Sequence, residues 1–224
     1  MLKITKMKLL IIVLFTSIIS IAQENIYTPD LSKIINGDGW NLSNRKFELI
    51  DTNGYKAVHF NSQPGDGIAW IENYEFTNGV IEIDIKGKNE QGRSFVGIAF
   101  RGVDEQTYDA IYFRPFLFMS EDSSSKDHRV QYMSLPDYGW KRLRDEFPGK
   151  YENPVEPAPD PNSFFHAKIV VEKPKVSVFV NGNDKPCLVV EELNNRTSGW
   201  IGLWTGNYSE GTFANLKIIN KGNE

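Results

Sequence analysis

The stretch "GVIEIDIKGK", residues 79–88, alternates without a break: Val80, Glu82, Asp84 and Lys86 take one parity, Gly79, Ile81, Ile83 and Ile85 the other. Successive side chains of a β-strand point to opposite faces, so this pattern predicts a strand with an isoleucine face on a core and a charged face in water. Glu82 and Asp84 then share a face, roughly 6.6–6.8 Å apart along the backbone. Carboxylates so placed are either a hydrolase's acid/base pair or the wet side of a half-buried strand.

The same period continues outward. Short apolar runs follow at Phe95–Arg101, Tyr108–Arg114, Arg129–Ser134, Ala167–Glu172, Val176–Val180, Leu188–Val190, Gly199–Trp204 and Thr212–Ile219, broken by Gly, Asn, Asp and Pro. No stripe of helical period is sustained after the amino-terminal segment, so the chain reads as all-β. In "VSVFVNGNDKPCLVV" (176–190), Asn181-Gly182 tolerates the positive φ of a tight turn, and residues 176–180 should pair antiparallel with 186–190.

Lys3, Lys6 and Lys8 precede the apolar run Leu9–Phe15, and Ser20 and Ala22 supply the small residues of a cleavage site. Residues 1–22 therefore read as a signal peptide cut before Gln23, with no second apolar segment to anchor the chain in a membrane. The expected product is secreted or periplasmic, with a leader at 23–35 and one domain over 36–220, a size that suits a single all-β unit. Loss of three lysines takes the net charge from −4 to −7. An acidic domain is a poor partner for nucleic acid or an anionic membrane, both of which need a cationic face. Cys187 is the only cysteine, so no internal disulfide forms.

Two segments interrupt the strands. "SEDSSSKDHR" (120–129) is a polar surface loop. Residues 134–166 are long and proline-rich, yet carry Tyr138, Trp140, Phe147, Tyr151, Phe164 and Phe165, too many rings for disorder. An ordered flap is expected, with a helical turn around Trp140–Asp145.

"FTNGVIEIDIKGK", "FVGIAFR", the "VSVFVNG" hairpin and the closing "SGWIGLWTGNYSEGTFANLKI" resemble the secreted concanavalin A-like lectin/glucanase superfamily, over about residues 36–219. More narrowly they look like its laminin-G-like and 3-keto-disaccharide-hydrolase-like bacterial members. The resemblance implies an antiparallel β-sandwich of the jelly-roll type. One branch, the family 16 glycoside hydrolases, carries two glutamates around an aspartate on such a strand. Glu82-Ile83-Asp84 begins that pattern, but Lys86 and Gly87 stand where the second glutamate belongs. A retaining glycosidase needs two carboxyls about 5–5.5 Å apart, one of them held protonated. The lysine favours ionisation of both, so Glu82 and Asp84 read as a solvated strand face.

Alternation on three other strands points to a ligand face. Arg101 shares parity with Ala99, Tyr112 and Arg114 with Ala110, and Gln131 opposes Tyr132, with either of these two inward. If the strands are neighbours, Arg101, Tyr112, Arg114 and Gln131 or Tyr132 converge on one face. The flap adds Tyr138, Trp140 and Arg142, and the closing strand Trp204. Guanidinium forks and phenol hydroxyls hydrogen-bond sugar hydroxyls or a carboxylate. For catalysis, Asp109, Asp137, Asp145, Glu146 and His166 are the acids and base within plausible reach of a groove. No His or Cys pattern suggests a transition metal, and no cofactor is expected. A structural calcium would fall to the loop acids Asp38, Asp104 and Glu105, whose spacing matches no defined calcium loop. The sequence thus favours a secreted carbohydrate-binding module, beside two alternatives: a glycoside hydrolase of the 3-keto-disaccharide type, or a laminin-G-like domain with a protein partner.

Overall fold

Ile81, Ile83 and Ile85 are fully buried while Glu82 and Asp84 keep contact with water, so the alternation of 79–88 is the alternation of a sheet with one face on a core. Each isoleucine so buried contributes about 1.5–3 kcal/mol. The computed structural model describes residues 25–52 and 54–221. The expected signal peptide lies outside the described residues.

The strands run in chain order as β1 (Asn25–Tyr27), β2 (Trp40–Ser43), β3 (Phe47–Thr52), β4 (Tyr55–Phe60) and β5 (Gly67–Ile71). Then come β6 (Gly79–Lys86), β7 (Val96–Gly102), β8 (Asp109–Phe113), β9 (Val130–Ser134) and β10 (Glu152–Asn153). The chain closes with β11 (Phe165–Glu172), β12 (Lys175–Val180), β13 (Leu188–Glu191), β14 (Trp200–Thr205) and β15 (Gly211–Asn220). Two sheets result, both antiparallel in every pairing. An eight-stranded sheet has the order β13-β12-β11-β6-β15-β4-β3, with β1 also on β15; a seven-stranded sheet has the order β10-β9-β8-β7-β14-β5-β2. Phe113 of the second sheet meets Phe165 of the first edge to face, ring centroids 4.9 Å apart, and one hydrophobic cluster fills the space between the layers. The protein is an all-β jelly-roll sandwich.

Val176 pairs with Val190, and Val178 with Leu188; Asn181 and Gly182 turn the chain at φ 52° and 70°. The four strands between Trp40 and Ile71 have no counterpart in the sequence reading, because runs such as "GIAWI" are buried at every residue and do not alternate. The sandwich also starts before residue 36. β1 pairs with β15, and a 3-10 turn over Leu31–Asn36, capped by the Asp30 carboxylate on the Ser32 N–H, puts Leu31 and Ile34 into the core.

A four-residue helix, α1 (Ser123–Lys126), is capped by Asp122, and segment 134–166 holds a second helix. α2 (Trp140–Glu146) buries Leu143, and β10 extends the seven-stranded sheet beyond β9. β10 thus forms that sheet's edge, and α2 packs beside β9. Among the described residues no helix is long and apolar enough to cross a membrane.

Candidate functional site

The strand register puts Tyr112 opposite Gly97 on one side and Gln131 on the other, with Trp204 also opposite Gly97. Directly opposed residues share a face, so these side chains lie together on the side of the seven-stranded sheet that points away from the core. A glycine between them lets the Tyr112 and Trp204 rings meet, centroids 5.1 Å apart. Above them opens a groove of about 980 Å³.

Its floor is a hydrogen-bonded polar layer. The Tyr112 hydroxyl donates to Gln131 Oε1 at 2.6 Å and accepts from Arg114 Nη2 at 2.7 Å; Arg114 also donates to Gln131 and to the His128 carbonyl. The Arg114 guanidinium lies 4.9 Å from the Tyr112 ring centroid and 5.7 Å from that of Phe95. Burial pushes the Tyr112 phenol up to about 12 and lowers Arg114 from its ordinary value. Glu152, opposite Gln131, anchors the layer: Arg144 grips it with two bonds of 3.0 and 2.7 Å, and Arg114 Nη1 lies 3.9 Å away. That grip raises Arg144 further. His128 Nδ1 is 2.8 Å from Glu152 Oε2, out of line for a hydrogen bond.

The walls come from loops. On the helix side Trp140 is half-exposed, with Arg144 stacked 5.4 Å from its ring. On the opposite side the loop after β14 presents Tyr208, 44% exposed, with Arg93 stacked 5.0 Å from its ring. Arg45 holds that loop in place, donating from its buried guanidinium to Thr205 Oγ1 (2.9 Å), the Gly206 carbonyl (2.8 Å) and the Gly65 carbonyl (2.9 Å). The Tyr208 N–H adds a bond to the Gln63 carbonyl. Phe95 and Phe116 meet edge to face along the rim. At the boundary with a neighbouring hollow of about 480 Å³ sits Asp66, which lines both. Trp204 Nε1 donates to the Tyr108 hydroxyl, which donates to Asp66 Oδ2. Crowding by protein raises the Asp66 carboxyl, against the lowering effect of Tyr108 and Arg45.

Of the nine residues the sequence singles out for a ligand, Tyr112, Arg114, Trp140 and Trp204 line the groove. Gln131 lies beneath, fully buried and holding Tyr112 and Arg114. Arg101 does not join them. An extra residue in β7 breaks its register with β14, Arg101 takes φ 54°, and its side chain leaves the groove face for a fully buried site. There it donates to Glu192 Oε1 (2.9 Å), the Thr77 carbonyl (2.6 Å), Asn78 Oδ1 (3.0 Å) and the Thr197 carbonyl. Tyr132 takes the parity opposite to Gln131 and points into the core, its hydroxyl on Asp109 Oδ2. Tyr138 sits on a turn beneath the Arg142 guanidinium, outside the groove lining.

None of the acids and bases considered for catalysis reaches the groove. Asp109 is buried among Tyr132, Asn194 and Arg196, and burial raises its carboxyl. Asp137 is exposed on a turn. Asp145 and Glu146 pair with Lys141 and Arg142 on the exposed side of α2. His166 lies on the other sheet, where its Nδ1 meets Asp84 at 2.8 Å; Glu82 pairs there with Lys217 at 3.0 Å. The two carboxylates of 79–88 are the wet face of the eight-stranded sheet. Asp38 pairs with Lys33 and Asp104 accepts the Gln106 N–H. Among the described residues no group of three or more His, Cys, Asp or Glu side chains is placed to hold a metal ion. Asp66, Arg93, Arg144 and Tyr208 are the groove residues that sequence reasoning missed, and each sits in a loop or on a helix face with no alternation to mark it.

No protein-family model matches the chain, and no curated protein matches it. Solved structures do. The carbohydrate binding module CBM66 from Bacillus subtilis superposes with a TM-score of 0.56 at 16% identity, over 80% of this chain and 94% of that one. The exoplasmic/lumenal domain of VIP36, in its Ca2+/Man3GlcNAc-bound form, gives 0.53 at 13%, over 84% and 85%. A Bacillus subtilis protein of unknown function with a galectin-like fold gives 0.53 at 12%, over 82% and 90%. The fold is that of the concanavalin A-like lectin/glucanase sandwiches.

Proposed function

We propose that the protein is a secreted carbohydrate-binding module, working in extracellular or periplasmic glycan handling, which seats a sugar chain in the groove between Trp140 and Tyr208. The observation that carries this is the groove itself: exposed rings on two facing walls, side-chain donors between them, and a hydrogen-bonded floor beneath. A sugar ring presents an apolar C–H face and a rim of hydroxyls. Rings stack on the first, and guanidinium, amide and imidazole groups such as those of Arg144, Asn207 and His128 bond the second. The volume lies within the range of ligand pockets, roughly 300–1,000 Å³. The prebuilt Tyr112–Gln131–Arg114 layer keeps the floor rigid, which lowers the ordering cost of binding. Likeness to a carbohydrate binding module and to a mannose-oligosaccharide-bound lumenal domain supports the same reading.

A hydrolase of the 3-keto-disaccharide type has one observation in its favour, the raised carboxyl of Asp66 beside the groove. Glycoside hydrolysis takes two working carboxyls. Asp66 is the only acid lining the groove among the described residues, and the nearby Glu152 is committed to Arg144.

A glycan array run beside a sugar-release assay tests the proposal. Binding without product is expected. Trp140→Ala should weaken it by up to roughly tenfold, the worth of one ring contact of about 0.5–1.5 kcal/mol, with the melting temperature unmoved. Product release that disappears in Asp66→Asn replaces the module with the hydrolase. An empty array without release defeats both and turns the search to a protein partner.

A further inference from the structure

The charge facing the groove is opposite to that of the chain. The whole protein carries −4, yet the groove is lined by Arg93, Arg114, Arg144 and His128 against a single lining acid, Asp66. Asp66 is already occupied, bonded by the Tyr108 hydroxyl with Arg45 nearby. Behind the lining, one carboxylate, Glu152, lies close to three basic side chains: Arg144, Arg114 and His128. It cannot balance them all. Arg93 forms no ion pair among the described residues and rests on the Tyr208 ring; the nearest acid it influences, Glu90, is paired with Lys88. The Arg144 bonds to Glu152 use Nε and Nη2, which leaves the N–H groups of Nη1 unclaimed. The two guanidiniums sit on opposite walls, each over an aromatic ring. A stacked guanidinium keeps its fork of donors at its edge, the geometry that grips a carboxylate or sulfate with two parallel bonds. Low-dielectric aromatic walls concentrate this uncompensated field within the cleft.

We infer that the ligand of this groove is an acidic glycan, whose carboxylate or sulfate groups are received by Arg93 and Arg144 between Tyr208 and Trp140. This rests on the carbohydrate reading and narrows it. A neutral sugar leaves the excess positive charge of a partly desolvated cleft unanswered, whereas an anionic one removes it.

Calorimetric titration of the intact protein with four polymers tests this: polygalacturonate and its carboxyl-reduced neutral form, dextran sulfate and plain dextran. One acidic polymer should bind at least roughly tenfold more tightly than its neutral counterpart at low salt, the advantage shrinking as salt screens it. Which pair shows the advantage identifies carboxylate or sulfate as the recognised group. Arg93→Gln, an exposed substitution, should erase several-fold of that preference while thermal unfolding stays unchanged; Arg93→Lys should restore part of it. Equal affinity for acidic and neutral polymers overturns the inference and leaves the carbohydrate module standing. A preference that survives in the Arg93→Gln/Arg144→Gln double variant also overturns it. Titrations flat for all four polymers, together with an empty array, remove the module and this inference at once.

Discussion

The two sheets turn very different outer faces to their surroundings. Along β6 and β11 buried and open residues alternate, while β5, β7, β8 and β9 are buried at every position. The eight-stranded sheet meets water, and its charges settle into local pairs such as Glu82 with Lys217. The seven-stranded sheet is roofed at its margins by α2, by the loop that carries Tyr208 and by the segment around Phe116. Its polar residues therefore sit out of bulk water, a costly position unless every donor and acceptor finds a partner. Tyr112, Gln131 and Arg114 partner one another.

Arg101 sharpens this contrast, because it belongs to the grooved sheet and yet is withdrawn from its outer face. Its side chain and that of Glu192 are both fully buried, and Lys173 Nζ adds a third charge 3.3 Å from Glu192. Glu192→Ala strands Arg101 without its counter-charge, and removing one partner of a buried pair costs about 3–5 kcal/mol. Denaturant unfolding should show a loss of that size, the largest expected of any single change discussed here. A loss below about 1 kcal/mol, the scale of surface pairs, would show that the bulge only stores Arg101 instead of tying the segments of Thr77, Glu192 and Thr197 together.

The same residue shows where the sequence stops being legible. Parity puts Tyr112 and Arg114 on one face, and the structure sets both on the groove face because β8 keeps its alternation across the site. Parity fails for Arg101 because one extra residue at φ 54° reverses the side on which it emerges, and nothing local in "GIAFRG" announces the bulge. The Asn181-Gly182 turn is legible for the opposite reason: the residues that demand positive φ are written into the turn itself. Whether Gln131 or Tyr132 faces the groove depends on the β8–β9 register, a long-range fact that leaves no trace in "RVQYMS". Arg93, Asp66 and Tyr208 are further still from the sequence signal. Arg45 brings the loops of Asp66 and Tyr208 together with bonds to Gly65 and to residues 160 and 161 positions away, and the Phe95 N–H on Ser209 Oγ ties in the segment of Arg93.

On the wet face the expected effects are small. Glu82 and Lys217 keep about a quarter and two-fifths of their side chains exposed, at 25% and 40%. Glu82→Ala should change the unfolding free energy by only about 0–1 kcal/mol, and it should leave glycan binding unchanged. A cost near that of Glu192→Ala would break the comparison between the two faces, since it would mean that the outer charges of β6 are structural after all. Loss of glycan binding in Glu82→Ala would move the ligand site from one sheet to the other.

The subtlest contrast lies in how pH acts on the groove. Asp66 is open at the rim, but protein around its carboxyl excludes enough water to raise it above the ordinary 3.8. The native state therefore holds this proton to a higher pH than the unfolded chain does. Between 3.8 and the raised native value, folding is linked to proton uptake, so the stability attributable to Asp66 falls as pH rises through that window. Asp66→Asn keeps an oxygen to accept the Tyr108 hydroxyl and cannot ionise. The melting temperature of this variant, relative to the parent, should accordingly climb as pH increases above 3.8 and level off once Asp66 is ionised in both states. A relative melting temperature that instead declines over the same range would mean that Arg45 and Tyr108 outweigh the lost hydration, and that Asp66 stands in the groove as a settled anion.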